Sequence, residues 1–200
     1  MDRLRSPGGC PWDAEQTHET LTRYLLEETY EVLEAIETGD SALLREELGD
    51  LLLQVLFHAR IAQEAAPDQA FDIDDVAGDL VDKLVRRHPH VFGDAVAGDV
   101  DSLNETWEEQ KIAEKGRTSA VDGVPLAQPA LALAAKLTAR ADRAGLNPAL
   151  AEPDGADAEI GARLLAVVRD AAAVGVDPEG ALRRTTAALR AAIVATEQSG

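Results

Sequence analysis

Apolar residues recur every three or four positions along most of this 200-residue chain, which is the spacing of amphipathic helices. In the first part of the chain this pattern predicts four helices, over residues 17–37, 41–66, 72–88 and 102–115. The Pro- and Gly-containing residues 1–16 predict a loop, and "RHPHVFGD" predicts an extended segment. No alternating apolar and polar run predicts a strand. The predicted fold class is therefore all-α, built around a four-helix bundle.

The pattern changes after "GRTSAVDGVP". Residues 126–200 are rich in Ala and nearly neutral, and they predict about three further helices. Asp177 and Pro178 fit the cap and the first position of the last of these helices. We therefore expect a helical domain over residues 1–116, a linker over 117–128 and an Ala-rich helical extension over 129–200.

Four carboxylates interrupt the apolar stripes of the first two helices. At about 100° per residue, Glu28 and Glu31 fall in one sector with apolar neighbours, and Glu47 and Asp50 do so on the next helix. The apolar residues that share these sectors include Leu21, Val32, Ala35, Leu43 and Leu51, and the polar Gln54 and His58 fall in the sector of Glu47. Both pairs are therefore predicted to face inward. The second helix is also apolar on its other sides, which predicts a central, buried helix.

Burying four carboxylates without compensation would cost many kcal/mol. The basic residues of these two helices, Arg23, Arg45 and Arg60, lie outside the acidic sectors. Hard divalent cations prefer oxygen ligands, and Mg²⁺, or Mn²⁺ in its place, keeps waters for a substrate phosphate. The pattern therefore predicts a metal site rather than a solvated acidic face.

The first 116 residues contain one dense basic cluster, made of Lys83, Arg86 and Arg87. Their spacing lets them share a helix face as a phosphate clamp, although they would also complement the carboxyl end of the third helix. Trp107 and Lys111 are four residues apart and could approach a nucleotide; a core indole beside a surface lysine is equally compatible with the spacing.

The net charge of −18 is concentrated in residues 1–116, which hold 10 Lys and Arg against 27 Asp and Glu. Such a surface repels nucleic acid and anionic lipid, so neither is an expected partner. We find no membrane-spanning run and no signal peptide, and the single Cys10 fits a reducing cytoplasm. Without a nucleophile elbow, Walker loop or CxxC motif, the chemistry expected is metal-assisted attack by water.

Four motifs, in order, resemble the MazG nucleoside triphosphate pyrophosphohydrolases: "GGCPWDAEQTHETL", "YLLEETYEVLEAI", "EELGDLLLQVLFHARIA" and "KLVRRHPHVFGD". The resemblance covers residues 3–116. The family pattern of E-x2-E followed by E-x2-D is met by Glu28, Glu31, Glu47 and Asp50, with 15 residues between the pairs.

The resemblance implies a dimeric all-α bundle that binds Mg²⁺ through those four carboxylates and hydrolyses NTPs or dNTPs to the monophosphate and pyrophosphate. The activated water would attack the α-phosphorus. By the same resemblance, Glu27 would orient the attacking water or support a ligand. The cluster Lys83, Arg86 and Arg87 would contact phosphates, and Trp107 with Lys111 would approach the nucleotide.

The extension is similar to a degenerate copy of the first module. "EIGARLL" parallels "ELGDLLL", with Glu159 in the place of Glu47 but Ala162 in the place of Asp50. Residues 129–200 are therefore expected to be a second, non-catalytic MazG-like helical module that supports packing or dimerisation.

Three alternatives stay open at this point. The enzyme could have a narrower substrate range and act on dUTP or phosphoribosyl-ATP. Alternatively, the metal site could stabilise a helical dimer that has no catalytic activity. An acidic mimic of DNA is disfavoured, because its charges would have to face outward.

Overall fold

A computed structural model describes residues 1–96, 98–99, 103, 106–107, 110, 114, 116 and 118–199. These residues form helices and connecting turns, which confirms the all-α class. The helices are α1 (Asp2–Arg5), α2 (Pro11–Glu15), α3 (His18–Thr38), α4 (Ser41–Ala62), α5 (Ile73–Arg87), α6 (Pro89–Phe92), α7 (Ala130–Arg143), α8 (Ala156–Ala173) and α9 (Pro178–Ser199). The chain divides into two compact units, Met1–Asn104 and Glu105–Gly200.

The centre of the first unit is the hairpin of α3 and α4, whose ends are set by local sequence. Thr17 and Thr20 form a reciprocal capping box at the start of α3. Gly39 ends this helix in the left-handed region at φ 72°, which favours glycine, and the Asp40 side chain accepts hydrogen bonds from the first amides of α4. This short turn makes the two helices antiparallel neighbours that pack along their length.

The first 16 residues are not a simple loop, because they contain α1 and α2. Arg5 fixes this segment: its guanidinium donates to the carbonyls of Asp13 and Gln16 at 2.6 and 3.0 Å and to the Glu64 carboxylate. Trp12 of α2 contacts the rings of Tyr24 and Phe57 edge-on. The segment therefore packs over the end of the hairpin where α3 begins and α4 ends.

Two other predicted boundaries differ from the structure. Helix α4 ends at Ala62, four residues before the predicted end, and turns follow it. The segment "RHPHVFGD" is not extended: it contains α6, in which Pro89 occupies the first turn and the His88 carbonyl accepts from Val91 and Phe92. The predicted helix over residues 102–115 lies mostly outside the described residues.

Helix α4 is not buried on all sides within one chain, contrary to the prediction. Its inner side packs through Phe57, Ala59 and Ala62, each at most 4% exposed. On another side Leu48 and Leu52 are 50% and 55% exposed. Leu26 and Tyr30 of α3 are likewise about half exposed. The hairpin thus carries a wide apolar surface that its own unit does not cover.

In the second unit, α7 packs against both α8 and α9. Val168 of α8 is fully buried, and the largely buried Arg140 of α7 donates to the Ala120 carbonyl at 3.4 Å. As predicted, Asp177 caps α9, its carboxylate accepting from the Glu179 and Gly180 amides. None of the described helices is long and apolar enough to cross a membrane.

Candidate metal centre

The hairpin brings three of the predicted carboxylates together. Glu28 on α3 and Glu47 and Asp50 on α4 each offer one oxygen, and these oxygens lie within 4.8 Å of one another. Glu47 and Asp50 meet Glu28 because they are three residues apart and project from the same side of α4. Glu47 is only 9% exposed, and Glu28 and Asp50 are half-buried.

Glu31 stands at the rim of this group. It is exposed, contrary to the prediction that it faces inward, because it lies at the edge of the α3 stripe. Its oxygens are not part of the three-residue cluster. Its charge nevertheless acts on both Glu28 and Glu47, and it shares a hydrogen bond with the Glu28 side chain. All four carboxylates therefore belong to one electrostatic group.

The electrostatics of this group are repulsive. Burial raises the pKa of Glu28, and the charges of Asp50, Glu31 and Glu47 raise it further. Burial also raises the pKa of Glu47, followed by the charges of Glu31 and Asp50. No basic side chain acts on either carboxyl strongly enough to lower its pKa within the part of the chain that the structure describes.

Two of the three arginines of the hairpin contact other groups. Arg60 pairs with Asp2 and Glu64 at 3.0 and 2.8 Å, and Arg23 lies over the Tyr24 ring. An oxygen-only donor set with no basic partner among the described residues matches the preference of hard divalent cations such as Mg²⁺. The residues present thus fit a metal ion.

The structure describes the remaining predicted site residues to different extents. Glu27 is exposed on α3, next in sequence to Glu28. On α5, which packs against α4, Lys83 and Arg87 are half-buried and Arg86 is exposed. Trp107 is half-buried and belongs to the second unit, whereas Lys111 lies outside the described residues.

Two polar residues on the inner side of α4 were placed in the acidic stripe by periodicity without being predicted as site residues. Gln54 is 5% exposed, and its Oε1 is buried with no hydrogen-bond partner among the described residues. The Nε2 of His58 is likewise buried and has no hydrogen-bond partner among the described residues. The sequence signal for Gln54 and His58 was their spacing of seven and eleven residues from Glu47. His58 also contacts His18 of α3, and nothing in the sequence indicated that contact.

Within the described part of the chain, this helical hairpin defines an all-α protein with a group of carboxylates that could hold a metal ion. Comparison with known proteins names the family. Residues 16–92 match the model of the MazG nucleotide pyrophosphohydrolase domain. The chain belongs to the MazG family.

Individual relatives extend this match. A 26.1 kDa protein of the blaB 3′ region of Streptomyces cacaoi is 54% identical, over 98% of this chain and 79% of its own length. The nucleoside triphosphate pyrophosphohydrolase/pyrophosphatase MazG of Thermotoga maritima is 39% identical, over 93% of this chain and 78% of its own. The nucleoside triphosphate pyrophosphohydrolase of Mycolicibacterium smegmatis is 56% identical over 73% of this chain, which spans only 45% of that protein.

Proposed function

We propose that this protein hydrolyses nucleoside triphosphates, ribo or deoxy, to the monophosphate and pyrophosphate with Mg²⁺ as its cofactor. The observation that carries the proposal is the group of Glu28, Glu47 and Asp50, whose mutual repulsion is not relieved by any basic side chain in the part of the chain that the structure describes. The named activities of the Thermotoga and Mycolicibacterium relatives support the same reaction.

The carboxylates Glu28, Glu31, Glu47 and Asp50 would hold the cation. Mg²⁺ bound there would neutralise phosphate charge and lower the pKa of a water, which allows attack at neutral pH. Glu27 orients this water from α3. Lys83, Arg86 and Arg87 on α5 bind the phosphates, and Trp107 with Lys111 approaches the nucleotide.

The bond that breaks joins the α-phosphorus to the oxygen bridging the α- and β-phosphates. Water oxygen attacks the α-phosphorus and loses its proton, and the electron pair of the broken bond leaves with pyrophosphate. The basic cluster of α5 then stabilises the charge that accumulates on the leaving group.

We further propose that the protein acts as a homodimer in the cytoplasm, in the removal of unwanted nucleotides from the pool. The apolar surface of α3 and α4, with Leu26, Leu48 and Leu52 about half exposed, supports the dimer, because water-facing surfaces of this kind usually lie at an interface. A comparison of canonical with damaged nucleotides tests the pool-cleaning role, which equal or lower activity on damaged nucleotides would contradict.

Product analysis by phosphorus NMR tests the reaction, with a panel of NTPs and dNTPs that includes dUTP and with Mg²⁺ present or chelated. Monophosphate and pyrophosphate that appear only with Mg²⁺ are the expected products. Diphosphate and orthophosphate would contradict attack at the α-phosphorus. Turnover of dUTP alone would establish an enzyme with a narrower substrate range. If no nucleotide is turned over but Mg²⁺ still raises the Tm, the metal site is structural.

The two modules can be compared with one matched pair of variants, Glu47→Gln and Glu159→Gln. Removing a ligand should lower kcat by about 100-fold or more. Glu159 occupies the corresponding place in the module proposed to be non-catalytic, and it is exposed on α8. We therefore expect Glu159→Gln to retain wild-type turnover; a loss there as large as in Glu47→Gln would show that residues 129–200 take part in catalysis.

A further inference from the structure

The inner side of α4 continues beyond the metal-binding carboxylates as a second, uncharged polar stretch. Gln54 follows Asp50 by four residues and His58 follows Gln54 by four, so the three side chains project from one side of the helix. At about 1.5 Å per residue, Gln54 lies about 6 Å and His58 about 12 Å beyond Asp50 along the axis. These spacings are comparable to the distance between the α-phosphate of a nucleotide and the edge of its base.

Two atoms of this stretch lack the hydrogen bonds that buried polar atoms normally make. Gln54 is 5% exposed, and neither its Oε1 nor the Nε2 of His58 has a partner within the described part of the chain. A buried polar atom left unpaired costs about 1–3 kcal/mol, so such atoms need a partner from outside the chain, either water or a bound group. Two of them four residues apart, on the side of α4 that carries Glu47 and Asp50, are suited to a ligand with a polar edge.

His58 has a further property because of its neighbour. Its Nδ1 lies 2.7 Å from the Nδ1 of His18, and the two rings are stacked. One of these nitrogens donates and the other accepts. When His18 donates, the Nε2 of His58 carries the remaining proton and is a donor; when His58 Nδ1 donates, its Nε2 is an acceptor. Burial and the charge of His18 lower the pKa of His58, which keeps the ring neutral and both arrangements accessible.

We infer that Gln54 Oε1 and His58 Nε2 bind the polar edge of the substrate's nucleobase, and that the His18–His58 pair lets one nitrogen bind either an amino or a carbonyl group. The inference rests on the proposed function and adds the part of the site that recognises the base. An adaptable donor and acceptor suits an enzyme that takes several nucleotides, since no base meets a fixed, mismatched group.

The kinetic test compares nucleotides with a substrate that has no base. The readout is the preference for ATP, CTP, GTP and UTP over ribose 5-triphosphate, expressed as a ratio of kcat/KM values in the full chain with Mg²⁺. Gln54→Met, which keeps the length of the side chain but removes its hydrogen bonds, should reduce this preference about tenfold. The control Gln63→Met makes the same change at an exposed position just after α4 and should retain the preference.

Stability separates recognition from a structural role. Gln54→Met replaces a buried atom that has no partner, so its Tm should equal or exceed that of the wild type. A lower Tm with an unchanged preference would overturn the inference and make Gln54 a packing residue. If the wild type turns over no nucleotide, the proposed function fails; the same preference is then measured by calorimetric binding of ATP and ribose 5-triphosphate, which tests the base site separately.

The His18–His58 pair is tested by nitrogen NMR of labelled histidine, in complexes with non-hydrolysable analogues of ATP and UTP. The Nε2 of His58 should be unprotonated beside the amino group of adenine and protonated beside the carbonyl of uracil. The same tautomer in both complexes would overturn this part of the inference.

Discussion

At the scale of single residues, the feature that stands out is Glu47, a carboxyl that is 9% exposed among three other carboxylates. Periodicity placed it inside because the residues around it are apolar at helical spacing. The same reasoning placed Gln54 and His58 in the stripe, but it could not show that their outer atoms lack partners. Whether these atoms find partners depends on how α3 and residues 1–16 pack against α4, and the apolar pattern of α4 does not encode that packing.

The raised pKa values of Glu28 and Glu47 give a pH dependence whose sign can be worked out. A carboxyl with a raised pKa in the folded state contributes less stability as pH rises from the ordinary carboxyl range through that raised pKa. A bound cation removes this penalty. The increase in Tm caused by Mg²⁺ should therefore be larger at about pH 7 than at about pH 5.

The measurement is thermal unfolding with Mg²⁺ or with a chelator at each pH. Taking the difference between the two conditions cancels the contribution of groups that do not bind the metal. His58 is one of these, and its lowered pKa means that acid destabilises the fold. Glu64, whose pKa is lowered by Arg5, titrates below this window. A Mg²⁺ effect that is equal at both pH values would contradict the assignment of the repulsive carboxyls as ligands.

At the scale of helices, the parts that the sequence predicted well are those with local end signals. Thr17, Gly39, Asp40 and Asp72 set the ends of α3, α4 and α5 through caps that neighbouring residues satisfy. The short helices α1, α2 and α6 were missed because one or two turns show no helical period. Helix α1 and helix α2 are held instead by contacts from distant parts of the chain, above all the ion pair of Arg5 with Glu64.

Arg5 therefore provides a test at this scale. Its side chain is 3% exposed and serves two carbonyls and one carboxylate. Arg5→Met should lower the free energy of unfolding by about 2 kcal/mol, since buried acceptors lose their donor while the half-exposed Glu64 regains water. Chemical denaturation measures the change, with Arg3→Met, an exposed position on the same helix, as the control. Equal stability of the two variants would show that the first residues do not depend on this anchor.

At the scale of the whole molecule, the fold of one chain leaves apolar surface without cover. The sequence predicted that α4 is buried on all sides. In a single chain α3 covers one side of α4, and the helix remains partly exposed along Leu48, Leu52 and Val55. An apolar sequence pattern reflects every contact that buries a residue, including contacts with other subunits. The structure of one chain shows only the burial within that chain. The difference supports the proposed dimer.

The dimer is tested by placing a charge on this surface. Leu52→Glu should convert the dimer to a monomer, because an interface cannot bury an unpaired carboxylate without a large cost. Leu150→Glu is the matched control, at a 64% exposed position outside the helices. Sedimentation velocity gives the oligomeric state; a dimer in both variants would show that the α4 surface is not the interface.

The short turn at Gly39 and Asp40 has a consequence for how fast the protein folds. All four carboxylates lie on the two helices that this turn connects, so the ligands come together by a local step with low contact order. Closing the hairpin also brings four negative charges together, which opposes that early step. Mg²⁺ should therefore accelerate refolding as well as slow unfolding, and stopped-flow refolding with and without the cation would reveal it. In this protein the cofactor would act first on the rate at which its own site is formed.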